Sequence, residues 1–233
     1  MSVIKNNLEI IHNKIEKAAL KAGRRPEEVR LIAVSKKQPL ELIRETFSYG
    51  QTIFGENYLQ EALNKIDRLD PAIRWHFIGH LQSNKAALAA TKFDMIHTVD
   101  RLKIARALDK SLTEGKVDSP LPVLVQVNIG REQQKSGVLP EDCHLLLNDI
   151  LKLKNIRAQG LMAMPPFSAD PEKTRPYFRQ IRELAANLRE KGLLAIEGKM
   201  ELSMGMSGDF ETAIEEGATL VRVGTALFGE RNS

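Results

Sequence analysis

Apolar positions recur along this chain in two alternating rhythms. Ile4, Leu8, Ile11, Ile15, Ala18 and Ala22 fall three or four residues apart between Val3 and Ala22. That is the spacing of one buried helix face, and Gly23 follows where a left-handed helix stop is expected. A short apolar run, Leu31 to Val34, then breaks into Ser35-Lys36-Lys37, as a strand covered on both faces would. Helical spacing returns behind Pro39 with Leu40, Ile43 and Phe47, up to Gly50. Thr52 to Phe54 predicts the next strand, and Leu59, Ala62, Leu63, Ile66 and Leu69 the next helix.

The same unit keeps returning. Further strands are predicted at Trp75–Ile78, Met95–Val99, Val123–Ile129, Ala158–Met164, Glu201–Met206 and Thr219–Val223. Ser83 and Asp100 are placed to cap the helices that follow two of them. Phe178, Ile181, Leu184 and Leu188 mark a long helix, and Phe210, Ala213 and Ile214 a short one stopped by Gly217. Strand starts lie about 27 residues apart, which suits βαβ units. Eight such units predict a single (β/α)8 TIM barrel, an α/β fold of one domain over residues 1–233 with an extra N-terminal helix. An open doubly wound sheet is the alternative; the strand count favours the barrel.

Barrel active sites lie at the C-terminal strand ends, and here those ends are polar: Ser35-Lys36, Glu56-Asn57, Gly79-His80, Asp100, Gln126 and Asn128, Ser203 to Ser207, and Arg222 to Thr225. Alternate strand residues share a side. Leu220, Arg222 and Gly224 oppose Val221 and Val223, and Leu124, Gln126 and Asn128 oppose Val123, Val125 and Val127. The valines suit the cover against helices, which leaves the polar sets for the barrel mouth.

Two segments are suited to a phosphate. Ser203-Met204-Gly205-Met206-Ser207-Gly208-Asp209 offers small residues and hydroxyls leading into a helix start, and Gly224-Thr225-Ala226 resembles it. Free amides there favour an anion, although Gly205 and Gly208 could equally serve a tight turn. Lys36 shares the parity of Ile32 and Val34 at a strand end, where a partly desolvated amine can react with an aldehyde.

Composition narrows the classes. The chain has 233 residues, 27% of them charged, and a net charge of +4 spread over many predicted helix faces. Nucleic-acid binding would need a basic stripe. No apolar run approaches the roughly 18 residues that span a bilayer, and the charged N-terminus is unlike a secretory signal. One cysteine, Cys143, suits a reducing compartment. The expectation is a cytoplasmic protein without nucleic-acid or membrane partners.

Seven segments together resemble the pyridoxal phosphate homeostasis proteins: LIAVSKKQP (31–39), FGENYLQE (54–61), WHFIGHLQSNK (75–85), QVNIGREQQKSG (126–137), GLMAM (160–164), LSMGMSGDFETAI (202–214) and VRVGTALFG (221–229). They run in order over nearly the whole chain; His80 departs from a common proline. The resemblance implies a barrel like the N-terminal domain of alanine racemase, with pyridoxal 5'-phosphate (PLP) held as a Schiff base on Lys36. It implies phosphate contacts from Ser203, Ser207, Gly224 and Thr225, Asn57 beside the ring, and Arg222 facing the pyridine nitrogen. An arginine only donates hydrogen bonds, so that nitrogen would stay unprotonated and the cofactor a weak electron sink.

Three functions follow. The first, implied by the resemblance, is a carrier that controls free PLP and supplies PLP-dependent apo-enzymes. The second is an amino-acid racemase, which needs a second base opposite Lys36. Of Tyr49, Tyr58 and Tyr177 only Tyr58 lies near a strand end, and the racemases' second domain is absent from this chain, which is therefore expected to be a monomer. The third is a lyase forming a Schiff base with a sugar phosphate. No metal site is expected: His76 and His80 read as structural hydrogen-bonding groups, Cys143 as a half-buried packing residue, and Met162, Met164, Met204 and Met206 as barrel packing. Gln133, Gln134 and Lys135 read as a mobile loop near the mouth, a candidate partner contact.

Overall fold

The computed structural model describes residues 2–113, 119–194 and 198–230. Eight parallel strands close into a barrel in sequence order: β1 Arg30–Val34, β2 Ile53–Glu56, β3 Arg74–Phe77, β4 Met95–Val99, β5 Leu121–Val127, β6 Ile156–Ala163, β7 Glu201–Ser203 and β8 Leu220–Val223. Closure joins β1 to β8, with Ile32 opposite Arg222, so no sheet edge is left unpaired. Helix α1 is Val3–Lys21, and the crossover helices are α2 Leu40–Ser48, α3 Leu59–Ile66, α4 Ala86–Lys92, α5 Leu102–Thr113, α6 Cys143–Ile150, α7 Arg175–Glu190 and α8 Phe210–Glu215; α9 Thr225–Phe228 is the last helix among the described residues.

The predicted alternation of faces is what separates two cores. Ile32, Ile53, Met95, Leu124, Met162 and Leu220 meet inside the barrel. Val123, Val125, Val127, Val221 and Val223 join the larger layer beneath the helices. The extra helix α1 buries Ile4, Leu8, Ile11, Ile15, Ala18 and Ala19. Asn7 Nδ2 donates to the Leu227 carbonyl at 2.9 Å, and Arg24 Nη1 to the Ile214 and Ala218 carbonyls at 2.9 Å each, so α1 is tied to the segments around β8. Gly23 ends it with φ +68°, a conformation that glycine adopts without a Cβ clash.

Several local expectations are corrected. Ser83 opens a 3-10 turn, Ser83–Lys85, and its side chain caps no helix, since α4 begins only at Ala86. Strand β7 pairs over Glu201–Ser203 rather than as far as Met206, because Gly205 turns the chain at φ +90°. A Cβ there would stand 2.6 Å from that of Ala213, so the turn excludes other residues. Cys143 is fully buried rather than half-buried, and burial pushes its thiol up to about 12, which leaves it chemically inert.

Candidate functional site

A cavity of about 280 Å³ opens at the C-terminal end of the barrel. Val34 and Lys36 from the end of β1, Asn57 after β2, Met206 to Asp209 after β7, and Arg222, Gly224 and Thr225 at the end of β8 all line it. Ile78, Met164 and the loop Pro165–Ser168 complete the wall. Thus Ile32 points into the barrel while Val34 and Lys36, on the same parity, reach the cavity.

A buried ionic network holds the backbone on both sides of Lys36. Lys65, on α3 and only 5% exposed, donates to Glu56 Oε1 at 2.7 Å, to the Ser35 carbonyl at 2.7 Å and to Glu61 Oε1 at 2.5 Å. Ser35 Oγ donates to Glu56 Oε1 at 2.7 Å, and the Lys37 amide to Glu61 Oε1 at 2.5 Å. Lys37 itself turns through φ +59°, unfavourable for a residue with a Cβ. Burial raises the Glu56 carboxyl and Lys65 opposes that rise. Ser35 and Glu56 stand among the polar strand ends of the sequence, but nothing in the pattern of the strands singles out Lys65, which joins them from α3.

The β7 and β8 loops form the opposite wall. The Met206 amide donates to Asp209 Oδ1 at 2.7 Å and the Ala226 amide to Ser207 Oγ at 3.3 Å. These bonds tie the two loops into defined turns. Gly208 faces open space, since a Cβ there would meet nothing within 4 Å. Burial raises the Asp209 carboxyl, while its hydrogen bond from Met206 and the charge of Arg222 pull it down.

Ser203 departs from its expected place. It does not line the cavity but lies fully buried beneath it, where Arg222 Nη1 donates to its Oγ at 2.6 Å and His97 Nδ1 lies 2.9 Å away. With β7 ending at this residue, its inward parity points the hydroxyl into the barrel rather than up towards the mouth. Arg222 Nη2 also donates to the Ala163 carbonyl at 3.0 Å. Burial lowers this guanidinium to about 10, against the pull of Asp209, so it remains charged at neutral pH. His76 Nδ1 lies 2.9 Å from His97 Nε2. Burial lowers His76 to about 3 and His97 well below the usual histidine range, with nearby cations adding to both. His97 is absent from the polar strand ends of the sequence, and its one signal there is a polar residue on the inward parity of MIHTV, shared with Met95.

Other expected features fall outside the cavity. Tyr58 is 51% exposed and does not line it. The 131–137 segment is tethered rather than loose. Gln126 Nε2 donates to the Ser136 carbonyl at 2.9 Å, Asn128 Nδ2 to the Glu132 carbonyl at 2.9 Å and Lys135 Nζ to the Pro165 carbonyl at 3.1 Å. His80 meets Ser136 Oγ at 3.2 Å. Gln126 and Asn128 thus fasten a loop rather than line the cavity. Among the described residues no helix is long and apolar enough to cross a membrane, and no group of three or more His, Cys, Asp or Glu side chains could hold a metal.

Comparison with known proteins agrees with this architecture. The family described as alanine racemase, N-terminal domain, matches residues 6–232. The pyridoxal phosphate homeostasis protein of Pseudomonas aeruginosa is 46% identical over 233 residues, covering 100% of this chain and 97% of that one. Its counterpart in Aquifex aeolicus is 44% identical over 225 residues, covering 96% of each. The structure of PipY from Synechococcus elongatus with PLP bound superposes with a TM-score of 0.79 at 38% identity, covering 93% of this chain and 100% of that one. Alanine racemase of Clostridium difficile shares the fold at 15% identity and a TM-score of 0.72, but this chain spans only 58% of its length. Through a match that runs end to end, the chain belongs to the family of pyridoxal phosphate homeostasis proteins, with the barrel of the alanine racemase N-terminal domain.

Proposed function

We propose that this chain binds PLP in the cavity above Lys36 and holds it reversibly, as a carrier that limits the free cofactor. The carrying observation is the convergence of Lys36, Asn57, Arg222 and the Ser207–Gly208 and Gly224–Thr225 turns on one cavity. When bound, PLP supplies an aldehyde, to which a lysine amine adds reversibly with loss of water. Val34, Ile78 and Met164 offer apolar walls to a planar ring. Hydroxyls at Ser207 and Thr225, with room over Gly208, suit its phosphate. Ser203 does not reach the cavity and bonds Arg222 beneath it, so it is left out of the phosphate contacts.

In this reading Arg222, which lines the cavity, faces the ring nitrogen, to which a guanidinium can donate and from which it can never accept. An unprotonated ring is a poor electron sink, which favours holding the cofactor over transamination. Neither Tyr49, Tyr58 nor Tyr177 lines the cavity, so no tyrosine stands ready as the second base that racemisation requires. The reading extends to a cytoplasmic monomer that hands PLP to PLP-dependent apo-enzymes. Light scattering tests the monomer, reactivation of an apo-enzyme by the loaded protein tests the hand-over, and cell fractionation tests the location.

The deciding experiment is the absorption spectrum with PLP, beside Lys36→Ala, before and after borohydride. A long-wavelength band in the wild type, fixed by reduction on Lys36 and lost in the variant, is the expected result. An adduct spread over several surface lysines, or no band, overturns the reading and favours a sugar-phosphate lyase.

A further inference from the structure

The polar column beneath Arg222 runs deeper than contact with a ligand requires. Ser203 and His97 are wholly buried and His76 is 4% exposed, in a barrel otherwise filled by Ile32, Ile53, Met95, Leu124, Met162 and Leu220. Buried polar groups in such surroundings persist only when hydrogen-bonded. Here the bonds form one line: Arg222 Nη1 to Ser203 Oγ at 2.6 Å, Ser203 Oγ to His97 Nδ1 at 2.9 Å, and His97 Nε2 to His76 Nδ1 at 2.9 Å.

The direction of that line follows from its first member. A guanidinium has donors and no acceptor, so Ser203 Oγ accepts from Arg222. Ser203 Oγ keeps one hydroxyl proton to give, and a bare His97 Nδ1 at 2.9 Å takes it; a protonated Nδ1 would leave that proton without a partner in the line. Neutral His97 therefore carries its proton on Nε2 and donates it to His76 Nδ1. By the same step, His76 carries its own proton on Nε2. Imidazolium at either position would add a charge to a buried site already holding Arg222, which burial disfavours.

We propose that His97, acting through Ser203, is a positioning residue for Arg222, locking the guanidinium plane so that its remaining N–H groups face the ring nitrogen of bound PLP. The inference rests on the reading that PLP occupies the cavity. Asp209 shares that cavity with Arg222 and attracts its charge. A guanidinium without its buried anchors would turn towards that carboxylate. Ser203 and the Ala163 carbonyl hold two of its three nitrogens against this turn.

Nitrogen-15 NMR of histidine-labelled protein without cofactor reads the tautomers directly. Bare Nδ1 and protonated Nε2 on both His97 and His76 at neutral pH are expected; a proton on Nδ1 of His97, or imidazolium, overturns the relay. In the loaded protein, His97→Phe should bind PLP about tenfold more weakly, the scale of one lost hydrogen bond to a charged group. Its absorption maximum should shift while the borohydride adduct stays on Lys36. His97→Gln, whose amide can accept from Ser203 and donate to His76, should recover most of the affinity and the wild-type maximum. Wild-type affinity and spectrum in a folded His97→Phe overturn the positioning role. Should that variant not fold, failure of His97→Gln to keep the wild-type maximum overturns it instead. A wild type with the expected tautomers but no Lys36 adduct overturns the PLP reading itself, and the positioning role with it.

Discussion

Lys36 and Arg222 reach the same cavity from neighbouring strands, β1 and β8, yet the supports beneath them are built on different principles. Below Lys36 the support is ionic: Lys65 lies between Glu56 and Glu61 and donates to the Ser35 carbonyl, while Glu61 accepts from the Lys37 amide. Below Arg222 it is neutral: a serine and two histidines whose basicity burial suppresses. The difference follows from what each support must hold. Lys36 needs its turn held in a strained backbone conformation, which strong bonds to main-chain groups achieve. Arg222 already brings a charge into the barrel interior, and a second cation beside it would be expelled or neutralised. One network therefore depends on matched charges, and the other on matched donors and acceptors.

Removing a single charge should break the first network most severely. Lys65→Met leaves Glu56 buried without its cation, and should lower the unfolding free energy by about 3–5 kcal/mol in urea melts. Replacing both partners, Lys65→Met with Glu56→Leu, should recover most of that loss, because no uncompensated charge remains. A double variant no more stable than the single one would show that the backbone grip, rather than charge matching, is what Lys65 supplies.

The neutral network should respond less. His97→Phe strands the Ser203 proton and the His76 acceptor, and should cost about 1–3 kcal/mol by the same measurement. A loss as large as that of Lys65→Met would erase the contrast between the supports.

The smallest effect is that of pH. His76 and His97 are both held below their unfolded value of 6.5, so the unfolded chain takes up protons that the folded chain refuses. Their neutral burial is thus fully compatible with stability above about pH 6.5, and stability is lost as pH falls below that value. Between pH 7 and 5.5 each histidine should account for about 1 kcal/mol of destabilisation. His76→Gln should flatten the acid slope of the melting profile; an unchanged slope would mean that His76 does not titrate on unfolding.

Much of the site could be read before the fold. The parity of Ile32, Val34 and Lys36 predicts a lysine at the mouth, and Lys36 lines the cavity. Asn57, Ser207, Arg222, Gly224 and Thr225 line it as well. Ser203 could not be placed, because whether a strand-end hydroxyl faces the cavity or the barrel interior depends on where pairing stops, and Gly205 stops it early. Lys65 and His97 escaped for a related reason: the Ser35 carbonyl that Lys65 holds lies 30 residues away in sequence, and the Ser203 hydroxyl beside His97 lies 106 residues away.

Local chemistry in the sequence determined the alternation of strands and helices, the two faces of each strand and the membership of the family. Those features repeat over windows of a few residues and need no partner to be legible. Tertiary closure alone decided which polar groups meet. Lys65 and Glu56 come from a helix and a strand end, His97 and Ser203 from strands 106 residues apart in the chain. Burial then set their protonation, because the cost of charge depends on what surrounds a group rather than on its neighbours in sequence.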